Sequence, residues 1–392
     1  MSTVTLADRL RHVEGSPTLA LAAKAKALAK AGKPVLDFTA GEPDFPTPEP
    51  VKQAAIQAIR DNQTRYTPVA GIPELRAAAA AAVNRRRGTA YQPSQTIVTS
   101  GTKHALFKVF QTLCQPGDEV VIPAPYWVSF PPLVRLAGAT PVIVETREAD
   151  GFLPDPAALR AAVTDATKVI LINSPSNPTG AVIDEARLKA IAQLAVERDL
   201  IIVSDEIYDE LVYPPAKHIS IVQAAPEALD RIIIVGGVSK TYSMTGWRIG
   251  YAVAPQPWID AMVNLQSHST SNPSSISQYA ALAALTGDQG EVDRMRKEFH
   301  ARRDRLVNGL NRLSPLRCAM PGGAFYAWCN VSGLQQSADA TAAQWLEQAL
   351  IATVPGEGFG APGFLRMSFA ASPATIDEAL ARLADWIKKR GR

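Results

Sequence analysis

From residue 95 onward, the apolar positions of the chain gather into short continuous runs instead of alternating with polar ones. The runs are TIVTS (96–100), EVVIP (119–123), TPVIVE (140–145), KVILIN (168–173), LIIVSDE (200–206), RIIIVGG (231–237) and WRIGYAVA (247–254). Their length and their β-branched content read as strands. Between them stand stretches of helical length, such as ALFKVFQTLC (105–114) and ARLKAIAQLAVERD (186–199). A strand apolar on both sides has to be buried on both faces. Such strands alternating with helices predict an α/β fold, a mostly parallel sheet flanked by helices.

Before this region, LALAAKAKALAKAG (19–32) has helical spacing and ends at Gly32, a natural C-cap. FTAGEPDFPTPEP (38–50) carries too many Pro and Gly to be regular. A helix follows over 50–59, then the loop TRYTPVAGIPEL (64–75), then an Ala-rich helix over 75–87. Beyond residue 290 the chain turns Arg-rich and helical, then mixed, which predicts a second, smaller α/β domain. The expected division is an N-terminal arm over 1–50 that joins the smaller domain, a large domain over 51–290 and a small domain over 291–392.

Composition narrows the function classes. The 392 residues are 47% hydrophobic and 20% charged, enough apolar material for a full core. The formal net charge is only +3, with Lys and Arg scattered among Asp and Glu, so no basic face points to nucleic acid. No apolar run reaches the ~20 residues that span a bilayer, and MSTVTLADRLRHVEGS has no signal-peptide core; a cytoplasmic location is expected. Three cysteines, Cys114, Cys318 and Cys329, with no CxxC spacing, read as reduced packing residues. Five dispersed histidines and no HExxH leave no expected metal site.

In open α/β sheets, ligands bind beyond the carboxyl ends of the strands. After TIVTS comes Gly101-Thr102-Lys103 and a helix over 103–114, whose N-terminus suits a phosphate, although many tight turns look the same. After KVILIN, NSPSNPTG (173–180) is a rigid loop able to aim the Asn177 amide, or simply a chain reversal. After LIIVS, Asp205 and Tyr208 could meet a cationic ring nitrogen and a phenolate oxygen, or Asp205 could cap a helix. After RIIIVGG stand Ser239 and Lys240, with Arg248 eight residues on. A recessed lysine beside another cation becomes a usable amine nucleophile, and Arg suits a phosphate. In this order, the strand-end residues describe a site for a phosphorylated pyridine aldehyde, pyridoxal 5′-phosphate (PLP).

The motifs AGEPDF (40–45), RYTPVAGIPELR (65–76), SGTKHALF (100–107), PYWVSF (125–130), NSPSNPTG (173–180), SDEIYDEL (204–211), SKTYSMTGWRIGY (239–251), PGGAFYAW (321–328), VPGEGFG (354–360) and LRMSFA (365–370) run through nearly the whole chain. With them, the chain resembles class I aminotransferases of PLP fold type I, closest to the bacterial class Ib branch of aspartate enzymes. The resemblance implies ping-pong transamination between an L-amino acid, expected to be aspartate, and a 2-oxo acid, expected to be 2-oxoglutarate, in a homodimer with shared active sites. It implies that Lys240 bonds the cofactor aldehyde and then serves as the base. Asp205 holds the pyridine nitrogen protonated, Tyr208 and Asn177 bond the phenolic oxygen, and Trp127 stacks on the ring. Gly101, Thr102, Ser239 and Arg248 hold the phosphate, with Tyr66 arriving from the other subunit. Arg366 and Asn177 take the substrate α-carboxylate, and Gly41 closes over it.

Specificity follows from a departure. Class Ia relatives bind the distal carboxylate through a neighbouring-subunit arginine, but LQSHSTSNPSSISQ (265–278) holds no Arg or Lys. The resemblance to class Ib points instead to Lys103, with Ser16 and Thr18 folding over the distal end. A lysine in a helix's first turn is unfavourable against the dipole, which argues for a functional reason. Gly237 stands where many relatives have a phosphate-binding Ser. Glu14 replaces a basic residue of some relatives, which argues against bulky dicarboxylates such as prephenate, and His268 lies where the arginine is missing. Competing readings are a broader-specificity aminotransferase (aromatic, alanine or prephenate/glutamate), a PLP β-lyase on the same fold, a PLP-binding regulator, for which no DNA-binding module has room, and a nicotinamide enzyme, for which no GxGxxG opens a helix after a strand.

Overall fold

The computed structural model describes residues 7–10, 15 and 17–390. Thirteen strands occur in chain order: β1 (Leu36–Asp37), β2 (Thr96–Thr99), β3 (Glu119–Ala124), β4 (Thr140–Glu145), β5 (Thr167–Asn173), β6 (Ile201–Asp205), β7 (Ile232–Gly237), β8 (Gly250–Val253), β9 (Arg317–Cys318), β10 (Tyr326–Asn330), β11 (Ile351–Ala352), β12 (Val354–Pro355) and β13 (Phe364–Ser368). β2 to β8 make one seven-stranded sheet in the order β2-β8-β7-β6-β5-β3-β4. All seven apolar runs therefore become strands of one sheet.

Five neighbours, β7-β6-β5-β3-β4, are parallel, and only β8 runs against both of its neighbours, β7 and β2. The alternation of side chains along each strand feeds two separate cores. Ile170, Ile202, Ile232 and Ile234 enter one, and Val169, Val203, Ile233 and Val235 enter the other. The runs are continuously apolar for this reason: each face has its own helical layer to meet. The edge strand β4 is half exposed and carries Pro141 and Glu145, both of which discourage pairing with another chain.

One strand was expected too long. WRIGYAVA is strand only from Gly250, because Thr245–Trp247 form a 3₁₀ turn and Arg248 takes a left-handed backbone with φ 57°. That conformation ends extended structure before it.

The later part of the chain holds a four-stranded sheet in the order β12-β13-β10-β9, over the long helix Gly290–Asn311 and the helix Pro373–Arg390. β1 pairs in parallel with β11, so residues 36–37 are hydrogen-bonded to residues 351–352. The expected helices appear as Pro17–Lys30, Glu49–Arg60, Pro73–Arg87 and Thr102–Leu113. The three cysteines are free and buried, and burial pushes the Cys114 thiol up to about 11. Among the described residues, no helix is long and apolar enough to cross a membrane, and no cluster of His, Cys, Asp or Glu could hold a metal.

Candidate active site

A cavity of about 510 Å³ opens at the carboxyl ends of β5, β6 and β7, where the seven-stranded sheet meets β13 and the 39–42 segment. Its wall contains Gly41, Thr102, Lys103, Trp127, Asn177, Asp205, Tyr208, Ser239, Lys240, Arg248 and Arg366 together. These residues are spread over more than three hundred positions of sequence, and the strand ends converge them.

Asp205 is the last residue of β6 and is only 3% exposed. Its carboxylate accepts from the Ile207 amide at 3.2 Å, and the Asn173 side chain donates to its backbone oxygen at 2.9 Å. Burial pushes its pKa up to about 7; the Ile207 amide and Lys240 act against burial, and Glu206 adds to it. Lys240 follows β7 and donates from Nζ to the Gly41 carbonyl. Removal from water brings its pKa down to about 8; Arg366 and Arg248 push the same way, while Glu42 and Asp205 oppose. An amine near 8 has a substantial neutral fraction close to neutral pH, as a nucleophile and base requires.

Arg366, in the middle of β13, is 2% exposed. It donates to the Asn177 amide oxygen at 3.1 Å and to the Thr39 carbonyl at 2.8 Å, and its Nε has no partner. Both acceptors are neutral. A buried guanidinium satisfied in this way calls for an anionic ligand.

The other end of the cavity is a cradle for an anion. Gly101, with φ 89°, leads into the helix Thr102–Leu113, whose N-terminus is the positive end of its dipole. A Cβ at Gly101 would overlap Nη2 of Arg248, so glycine is what lets the guanidinium lie against the turn. Arg248 is fixed by the Thr245 carbonyl at 2.7 Å. At Gly237 a Cβ would stand 2.7 Å from the Thr102 hydroxyl, which donates to the Gly236 carbonyl at 3.0 Å. The serine of many relatives has no room here, because Thr102 fills its place.

These features fit PLP: a closely packed turn for the phosphate, a buried carboxylate that accepts only from the Ile207 amide for the ring nitrogen and an amine for the aldehyde. Trp127 is half-buried in the wall and edge-on to Phe130, and the Lys103 ammonium lies 4.9 Å over its ring. Lys103 itself is exposed at the rim. Its pKa lies below the ordinary lysine value, first through partial removal from water and then through Arg248.

Two residues singled out in the sequence lie away from this chain's own cavity, one of them, Tyr66, expected to serve the other subunit. Tyr66 is 89% exposed and outside this chain's own cavity, and His268 is exposed at the end of the helix Gln256–Ser267. Ser16 lies outside the described residues, as do Glu14 and the side chain of Thr18. Reading strand ends also missed Tyr326 at the start of β10. Its hydroxyl is 2.9 Å from that of Tyr208, and its ring lies 4.5 Å under the Arg366 guanidinium. The motif PGGAFYAW contained it, but a Tyr among aromatics reads as core.

The fold and the cavity define a PLP-dependent transferase of the α/β class. The family model "Aminotransferase class I and II" matches residues 33–383, and the chain belongs to that family as a PLP-dependent aminotransferase. It is 45% identical over 390 residues to the aspartate aminotransferase of Geobacillus stearothermophilus, covering 98% of this chain and 99% of the relative. To the aspartate/prephenate aminotransferase of Thermus thermophilus it is 45% identical over 382 residues, covering 97% and 98%. The solved Thermus thermophilus aspartate aminotransferase with maleate superposes with a TM-score of 0.95 at 44% identity, covering 98% of this chain and 100% of that one. The aspartate aminotransferase from Rhizobium meliloti gives 0.95 at 39% identity, covering 98% and 99%.

Proposed function

We propose that this aminotransferase moves the amino group of aspartate to 2-oxoglutarate, with Lys240, Asp205 and Arg366 as its working groups. The observation that carries the reading is one cavity holding an amine of lowered pKa, a buried carboxylate and a buried guanidinium with only neutral partners. When bound, PLP supplies an electron sink for the charge left on the substrate α-carbon.

Lys240 would bond the cofactor aldehyde, and its amine is placed to take and return the substrate α-proton. Asp205 keeps the ring nitrogen protonated. Tyr208 and Asn177 bond the phenolic oxygen, and Trp127 covers the ring. Gly101, Thr102, Ser239 and Arg248 hold the phosphate, completed by a second subunit's Tyr66 in a homodimer. Arg366 and Asn177 clamp the α-carboxylate, and Gly41 closes over the substrate. Lys103 takes the side-chain carboxylate, and the family resemblance assigns Ser16 and Thr18 to the same distal end. The maleate in the Thermus thermophilus relative is a dicarboxylate, which supports a dicarboxylic substrate.

A second substrate, prephenate, is favoured by the relatives named for both activities. The division into 1–50, 51–290 and 291–392 and the cytoplasmic location belong to the same proposal. The test is the visible spectrum of the purified protein titrated with several amino acids, then borohydride reduction and peptide mapping. Aspartate should convert the band fastest, and the adduct should fall on Lys240. An adduct on another residue, or equal rates with uncharged amino acids, overturns it.

A further inference from the structure

The segment that follows β6 has two sides. Asp205, Ile207 and Tyr208 line the cavity, whereas Glu206, Asp209 and Glu210 meet the arginines that end the helix Pro73–Arg87. Glu206 is 1% exposed and Arg87 4%. One carboxylate oxygen of Glu206 accepts from Arg87 at 2.8 Å through Nε and at 2.6 Å through Nη2, with His218 at 3.3 Å. The other accepts from the Ser204 hydroxyl at 3.0 Å and the Ser220 hydroxyl at 2.6 Å. Arg87 also reaches Asp209 at 2.8 Å, and Arg86 contacts Asp209, Glu210 and Tyr242. None of these charged residues lines the cavity.

A carboxylate buried this completely is costly, and a hydrophobic filling would give equal stability. Its place beside Asp205 gives a reason for it. We propose that Glu206 and Arg87 are positioning residues: their buried ion pair anchors the segment carrying Asp205 and Tyr208, and its balanced charges set how readily the cofactor held against Asp205 takes up an added proton. The proposal rests on the reading that Asp205 meets the cofactor's ring nitrogen.

Glu206 faces Arg87, His218, Tyr91 and Asp205, with Asp209 one contact further out. Asp205 faces Glu206, Lys240 and Tyr208. Arg87 is shared between Glu206 and Asp209, beside Tyr251. Arg87 and the ring nitrogen's site thus compete for the field of the same acidic segment. Removing the Glu206 charge leaves Arg87 in excess and disfavours any added positive charge at the cofactor. Removing the Arg87 charge leaves carboxylates in excess and favours it.

The experiment uses the holoenzyme and the pH midpoint of the cofactor's visible absorption band, whose acid form carries one more proton. Glu206→Gln, which keeps acceptors for Ser204 and Ser220, should lower the midpoint by about half a unit or more. Arg87→Gln should raise it by a similar amount, Arg87→Lys should leave it near wild type, and the double Arg87→Gln/Glu206→Gln should bring it back. Should one single variant fail to fold, the sign of the other decides. Shifts of the same sign, or no shift in a folded single variant, overturn the proposal, because a purely structural pair has no reason to give opposite signs. Asp205→Asn separates the underlying reading. If it keeps full turnover, the assignment of Asp205 falls; if it loses turnover while Glu206→Gln leaves the band unmoved, only the role of the pair falls.

Discussion

At the floor of the cavity Asp205, Asn177, Tyr208 and Arg366 are buried, whereas at the rim Glu42, Lys103 and Arg248 stand exposed. The floor groups are held, out of water, by hydrogen bonds to an amide, a carbonyl, a second tyrosine hydroxyl and each other. The rim groups stand in solvent: Glu42 accepts from the Thr245 hydroxyl, Arg248 donates to the Thr245 carbonyl, and the Lys103 ammonium lies over a tryptophan face. Burial shifts proton affinities strongly, so the floor can decide which bond is made and broken. Solvated charges are screened and adaptable, so the rim can decide which substrate is admitted. If the comparison is right, floor variants change the reaction for every substrate and rim variants change the ranking of substrates.

The largest effect falls on the amine. Lys240→Ala should cut turnover with every amino donor by at least ~10²–10⁴-fold, the scale of a lost general base, and by more if the cofactor is no longer held. Stopped-flow conversion of the absorption band measures it. A variant that loses aspartate but keeps another donor would move Lys240 to the rim class.

Asp205 yields a pH dependence in the cofactor-free protein. Its ordinary pKa is 3.8 and burial raises it to about 7 in the folded chain. The unfolded chain therefore ionises first, so this group's contribution to stability is whole below about pH 4 and is lost as the pH rises to about 7. The loss is at most about 4 kcal/mol by linkage. Lys240 acts in a separate window: its pKa falls from 10.5 to about 8, so its contribution is lost as pH drops across that interval. Thermal melts between pH 4 and 7 should show a flatter profile for Asp205→Asn than for the wild type. Parallel profiles would mean that the floor carboxylate is solvated after all.

At the rim, Lys103→Ala should lower kcat/KM for aspartate ~10–100-fold, the worth of a hydrogen bond to a charged group, and spare alanine. Equal losses for the two donors would erase the division between floor and rim at this residue.

How much of this was legible in sequence follows the same physics. Strand runs are written in local composition, because two-sided burial demands apolar residues at every position; all seven were readable. The reversal of β8 was not, since a buried strand looks the same in either direction. β9, β11 and β12 span two residues each, too short for any period. The strand-end residues that line the cavity were readable because topology places ligands there. The Glu206–Arg87 pair was not, because its partners are 119 residues apart and each resembles a surface charge. Tyr326 was hidden by its aromatic neighbours.

The smallest effect concerns the phosphate end, where floor and rim meet. Gly237 has the Thr102 hydroxyl 2.7 Å from the site of a Cβ, with the Gly250 Cα at 3.0 Å and the Ile249 carbonyl at 3.1 Å. Two of the three obstacles are backbone and cannot turn aside. Gly237→Ser must therefore push the Thr102 side chain off the Gly236 carbonyl, costing on the order of 1–3 kcal/mol as overpacking does. The added hydroxyl is also a new donor beside the anion cradle, but it comes at the expense of the one already there. The holoenzyme melt should fall by a few degrees, and cofactor retention on dialysis should not improve. An unchanged melt with tighter retention would show that Thr102 yields easily, and that the cradle belongs with the adaptable rim and not with the floor.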